Sequence, residues 1–177
     1  MQIAMSKTRE LFPLSTKKVL KKTVAGMAGW GLLFLLIYGG MVWMWLAVAE
    51  VIGGHLWWVS IVVTGLLVVI VAVTYWYQSW YYAVYFYELT GDYVVIKKGP
   101  ITPLEITIPY ERVQDVYVDQ DILDRVFGLY DVHLSSATVA SGVAAHIDGL
   151  EKAAADGLRA MLLGRVSEKI GKKPREV

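Results

Sequence analysis

At 177 residues the chain has room for one membrane module and one small folded domain, at about 100 to 200 residues per domain, and not for two full globular domains. Hydrophobic residues make up 56% and charged residues 19%, against about a quarter charged in ordinary soluble domains, which points to lipid. The net charge is +1 and cysteine is absent, so disulfides, thiolate nucleophiles and zinc–thiolate sites are ruled out.

The charge is unevenly spread. Met1 to Thr23 carries Lys7, Arg9, Lys17, Lys18, Lys21 and Lys22 against Glu10 alone, a basic arm over residues 1–23 that is expected on the cytoplasmic side. From Val84 onward acids outnumber bases, fourteen to eleven. A folded part of that sign does not suggest a nucleic-acid partner, which would require a cationic face.

Residues 24–82 read as a two-helix transmembrane hairpin. Val24–Val48 is 25 residues without a charge, about 37 Å long as a helix and so long enough to cross a hydrocarbon core of roughly 30 Å. Leu56–Tyr77 is a second uncharged stretch. It is rich in Val and Ile, but its length favours a helix, because a lone strand would leave backbone groups unpaired in lipid. The short link from Ala49 to His55 makes the two helices antiparallel neighbours, and the lysines before the first span place both termini in the cytoplasm. Trp43, Trp45, Trp57 and Trp58 gather at the loop end, and Tyr75, Trp76, Tyr77, Trp80, Tyr81 and Tyr82 at the other, as two interfacial belts. Ala47-Val48-Ala49 has the look of a signal-peptidase site, but the apolar run before it is too long for a typical signal peptide, so cleavage is not expected. Ala25 and Gly29 are spaced to admit another helix or to pack within the hairpin, and the spacing does not choose between them.

Residues 83–168 change to short β-like runs. Strands are expected at Tyr85–Thr90, Tyr93–Lys98, Leu104–Ile108, Arg112–Val118, Tyr130–Ser135 and Gly142–Ile147. Gly91-Asp92 is expected to turn the first hairpin, with a positive φ available there. Val116 and Val118 are expected to face inward. Asp121–Phe127 reads as a short helix stopped by Gly128. Asp148 three residues before Glu151 suggests a capping box. Leu150, Ala154, Leu158, Met161 and Leu162 then recur at helical spacing, with Gly157 weakening that helix by about 1 kcal/mol. Residues 169–177 form a polar tail.

The order ELTGDYVVIKKG (88–99), TIPYERVQDVYVDQ (107–120), ILDRVFGLYDVHLSSA (122–137) and HIDGL (146–150), followed by an alanine-rich helix, resembles the bacterial pleckstrin-homology family of membrane-anchored proteins. The most specific pieces are Ile108-Pro109, Arg112-Val113-Gln114-Asp115-Val116 and Phe127-Gly128-Leu129. The resemblance implies an α+β chain in which the hairpin precedes a PH-like antiparallel β-barrel or sandwich of about seven strands, capped by the C-terminal α-helix.

No catalytic constellation is legible, and no cofactor or metal is expected. His55, His133 and His146 lack chelating neighbours at usable spacing. Asp115, Asp119, Asp121 and Asp124 lack the glycine and closing glutamate of a calcium loop, and are expected to form a solvated edge or a partner surface. Ser135, Ser136 and Ser141 lack a nucleophile-elbow setting. Two functions compete. One is a noncatalytic module that binds protein through Asp115, Asp119, Asp121 and Asp124, as a scaffold or accessory subunit beside other membrane proteins or a second copy. The other is an anionic-lipid binder or envelope-stress sensor that reads headgroups through Lys97, Lys98, Lys17, Lys18, Lys21 and Lys22.

Overall fold

The computed structural model describes residues 6–52, 56–136 and 145–171, with side chains at all of these except 45–52 and 56–57. The expectations for His55, Ser141, the opening of the last strand at 142–144 and the tail from 172 lie outside the described residues, as do the side chains of Trp45 and Trp57. The chain divides into two units: Lys22–Ser79, and Met1–Lys21 together with Trp80–Val177.

The first unit is built from two long helices, α2 (Lys17–Ile52) and α3 (Leu56–Val84), whose outermost turns belong to the other unit. Both are long and apolar enough to cross a membrane, and no part of either hydrophobic window is buried within the structure. Leu35, Leu36, Val62 and Trp76 are exposed, an apolar surface that water would penalise heavily. Between the helices, Gly26 faces the Thr74 methyl, and the Tyr38 hydroxyl bonds the Thr64 hydroxyl and, at 3.3 Å, the Ser60 carbonyl. A Cβ on Gly29, Gly31, Gly39 or Gly40 would meet nothing within 4 Å.

The second unit contains two three-stranded antiparallel sheets, β1-β2-β3 and β4-β5-β6, with helix α5 packed on them. The strands are β1 (Phe86–Leu89), β2 (Tyr93–Lys98), β3 (Leu104–Pro109), β4 (Val113–Asp119), β5 (Tyr130–Ser136) and β6 (His146–Leu150), and α5 is Lys152–Gly171. Alternation puts Tyr87, Leu89, Val94, Ile96, Ile106 and Ile108 of the first sheet and Val116, Val132, Leu134 and Ile147 of the second into one core, closed by Ala155, Leu158 and Leu162 of α5. Among the described residues six strands form and no pairing joins the two sheets, so the closed barrel implied by the resemblance gives way to two separate sheets. The corner between β3 and β4 is a 3-10 turn at Tyr110–Arg112, where buried Tyr110 donates its hydroxyl to the Thr90 carbonyl at 3.1 Å.

Several local expectations change for identifiable reasons. Thr90, rather than a positive φ at Gly91, closes the first hairpin: its N–H and hydroxyl both meet the Tyr93 carbonyl. A bulge between Val113 and Asp115 lets Val113 and Val116 both point inward, three residues apart. The capping box falls one element earlier, on α4 (Ile122–Phe127), where Asp121 accepts from the Asp124 N–H at 2.6 Å and the Asp124 carboxylate accepts from the Asp121 N–H. Asp148 lies buried in β6, ahead of the helix that begins at Lys152.

Residues 6–21 belong to the folded unit and do not form a separate basic arm. Helix α1 (Lys7–Leu11) lies along β1, whose outer edge would otherwise be open. There Ser6 donates its hydroxyl to the Tyr87 carbonyl, Arg9 donates to the Tyr85 and Tyr82 carbonyls, and the Leu89 N–H donates to the Thr8 hydroxyl at 3.0 Å. Phe12 then fills the notch at Gly157, where a Cβ would stand 2.5 Å from its ring. The glycine that weakens α5 thus makes room for the N-terminal segment. Finally Leu14 bridges Leu150 and the Ser15 N–H donates to the Gly149 carbonyl at 2.9 Å, covering the edge of β6.

Candidate functional site

The side chains with the most chemistry gather on the outer face of β4-β5-β6. Register sets Tyr117 opposite His133, Asp119 opposite Asp131 and His133 opposite His146. The His133 ring stacks between Tyr117, at 4.9 Å, and His146, at 5.2 Å, and its Nε2 is 3.1 Å from Asp119. Asp148 continues this row along β6, and Asp121 and Asp124 join it from α4.

The N-terminal segment brings two lysines to this acidic ground. Lys18 Nζ is 2.6 Å from Asp148, both side chains being buried, and sits 3.7 Å from the centre of the Tyr85 ring. Lys21 Nζ is 2.5 Å from Asp124, 3.1 Å from Asp121 and 3.9 Å from Asp131. Burial pushes the Asp121 carboxyl up, but the Asp124 N–H and the Lys21 ammonium outweigh it and hold the group below its ordinary value. Two ammonium groups face four carboxylates, and Asp131 absorbs the imbalance. Burial first, and then the neighbouring Asp148 charge, push its carboxyl up to about 6, against the pull of the Gly149 N–H at 2.8 Å and of Lys21.

This sets a pH dependence. The folded form holds the Asp131 proton more tightly than the unfolded chain, whose carboxyl titrates near 3.8. The contribution of Asp131 to stability is therefore fully present below about pH 4 and is lost as pH rises through 6, about 3 kcal/mol for this group. Asp131→Asn keeps an oxygen for the Gly149 N–H and loses the charge. It is expected to flatten the fall between pH 4 and 6.5 and to be at least as stable as the parent at pH 7.5; denaturation curves across that range check it, and an unchanged slope would rule out Asp131 as its source.

The six lysines weighed as headgroup ligands do not form one site. Lys18 and Lys21 are buried in the ion pairs above, Lys17 is exposed, and Lys22 is half-buried in the other unit. Lys97 and Lys98 lie on β2 in the other sheet, Lys97 exposed and 3.0 Å from Glu105, Lys98 buried. The four aspartates divide likewise. Asp115 and Asp119 face solvent from β4, Asp121 is an exposed helix cap, and Asp124 is fully buried. Asp124 is therefore no part of an exposed partner surface.

The donor atoms of Asp119, Asp131 and His133 lie within 4.8 Å of one another, a set of hard oxygens and one imidazole that the chain spacing did not reveal. Neither Asp131 nor Asp148 stands out in the sequence as a candidate site residue. The signal for Asp131 was its place beside Val132 on a strand whose inward and outward positions alternate; Asp148 was hidden by its resemblance to a helix cap.

The family described as bacterial PH domain matches residues 19–166, from the first turn of α2 well into α5. Neither the curated proteins nor the solved structures give a match. Because the match takes in both apolar helices and nearly all of the two-sheet domain, this chain belongs to the bacterial PH domain family.

Proposed function

We propose that the chain is a noncatalytic, membrane-anchored interaction module, acting as a scaffold or accessory subunit beside other membrane proteins or a second copy of itself. Helices α2 and α3 cross the bilayer as an antiparallel pair, with both termini in the cytoplasm. Their exposed apolar side chains need lipid as their solvent. Lys17, Lys18, Lys21 and Lys22 are synthesised before any of the aspartates that later pair with Lys18 and Lys21, so all four carry free charge while the first span is being oriented.

The observation that carries the interaction reading is the state of the sheet edges. The N-terminal segment covers those of β1 and β6, whereas among the described residues β4 pairs with β5 alone, and it turns Gln114, Asp115, Tyr117 and Asp119 to solvent. An exposed tyrosine beside two exposed carboxylates on this strand suits a partner segment with basic side chains. The headgroup reading has less support, because Lys18, Lys21 and Lys98 are buried and Lys97 is engaged with Glu105.

The test uses the full chain, extracted in gentle detergent, with mass spectrometry of whatever copurifies. Asp115→Lys combined with Asp119→Lys, which spares the Lys18 and Lys21 network, is expected to remove the partner. Identical copurifying proteins from parent and variant would count against the β4 edge.

A further inference from the structure

Helix α4 has an apolar face that the domain leaves uncovered. Ile122 is 83% exposed and Val126 73% exposed, and four residues apart they share one side of the helix. Two β-branched residues standing in water on a six-residue helix are costly, yet this helix is held firmly. The Asp121/Asp124 capping box fixes its start, Gly128 ends it at φ +68, and buried Leu129 donates its N–H to the Asp124 carbonyl at 2.8 Å. Its exposed face is thus a preorganised feature, not a frayed end.

What should cover this face follows from Lys21. The ammonium that bonds Asp124 at 2.5 Å and Asp121 at 3.1 Å belongs to the last residue of this unit before the chain leaves it. Only three residues later, about 4.5 Å of helical rise, the uncharged stretch opens at Val24. The first turn of α4 is therefore tied to the end of the domain from which the apolar helix departs. Lys21 and exposed Arg125, which lies between the two apolar residues, together match the charge of Asp121 and Asp124, which would otherwise repel an anionic leaflet.

The geometry points to α4 as an interfacial wedge that sets Ile122 and Val126 into the headgroup–acyl boundary of the bilayer. Small apolar faces rimmed by basic residues bind there by burying a shallow layer of side chain. The wedge would fix the height and tilt of the domain over the membrane. This rests on the reading of α2 and α3 as membrane-spanning.

Because the chain has no cysteine, a single reporter can be placed cleanly. Val126→Cys, with Ile122→Cys as a second position and Asp156→Cys on α5 as an exposed reference, would carry an environment-sensitive fluorophore. The full chain would be reconstituted in vesicles of phosphatidylcholine and phosphatidylglycerol, with an unchanged tryptic pattern confirming the fold of each variant. The expected result is severalfold stronger quenching at 126 and 122 by lipids spin-labelled near the headgroup than by aqueous iodide, with the reverse order at 156. If the protein resists alkaline extraction but iodide quenches 126 and 122 as it does 156, the spans stand and the wedge is overturned. A protein covering would give protection that rises with protein density and ignores the lipid quencher, which also overturns it. Release of the chain by alkaline extraction would remove the membrane reading itself.

Discussion

Lys18→Met is expected to destabilise the domain by about 3 to 5 kcal/mol, the usual cost of leaving one member of a buried ion pair alone. Lys18 and Asp148 are both buried, 2.6 Å apart, and the ammonium also lies over the Tyr85 ring. Methionine keeps most of the stem but takes the ammonium away from the buried Asp148 carboxylate. With its partner gone, burial favours the protonated acid, so the variant should regain stability as pH falls. Adding Asp148→Leu should recover much of the loss even at neutral pH, since an apolar pair often replaces a buried ion pair at little cost. Amide exchange in β6 of the full chain measures all three effects. Protection in Lys18→Met equal to that of the parent, at neutral pH, would show that the pair contributes nothing.

Gly149→Ala should be about as damaging, for two separable reasons. Gly149 has φ +82, a conformation that costs an L-residue about 1 to 2 kcal/mol. An added Cβ would also stand 2.6 Å from Lys18 Cδ and 2.7 Å from Lys18 Cβ. A Cβ cannot swing aside as the tip of a lysine can, so the start of α2 must shift, weakening the Ser15–Gly149 hydrogen bond and the Lys18–Asp148 pair together. The expected total is about 3 kcal/mol or more. Lys17, Lys18 and Lys21 should become open to trypsin while the core strands hold. Cleavage there at the parental rate would mean that the N-terminal segment does not depend on this contact.

These two predictions concern a part of the molecule that the sequence did not announce. The strands were readable because their inward positions alternate: Tyr93–Lys98 is β2 as expected, and Gly128 stops α4 where the sequence places its end. The two uncharged stretches were equally plain, since length and lack of charge survive any packing arrangement. The N-terminal segment has no such period. It covers β1 with the side chains of Ser6, Thr8 and Arg9 rather than with a strand, and no local rule signals that a five-residue helix will do so. A row of lysines before an apolar run is sufficiently explained by orientation in the membrane, so nothing pointed to Lys18 and Lys21 as buried ligands of acids more than 90 residues away.

The order of residues was enough to set the length and polarity of each region, the kind of element it forms and the family it resembles, because periodicity, charge and turn chemistry act within a few positions along the chain. Which charges are paired, which sheet edges are covered and which apolar face is exposed depended on folding. Each of those outcomes joins segments far apart in sequence, Lys21 with Asp124, Phe12 with Gly157, Leu14 with Leu150, and such pairings have a free energy only once the core has brought their backbones together.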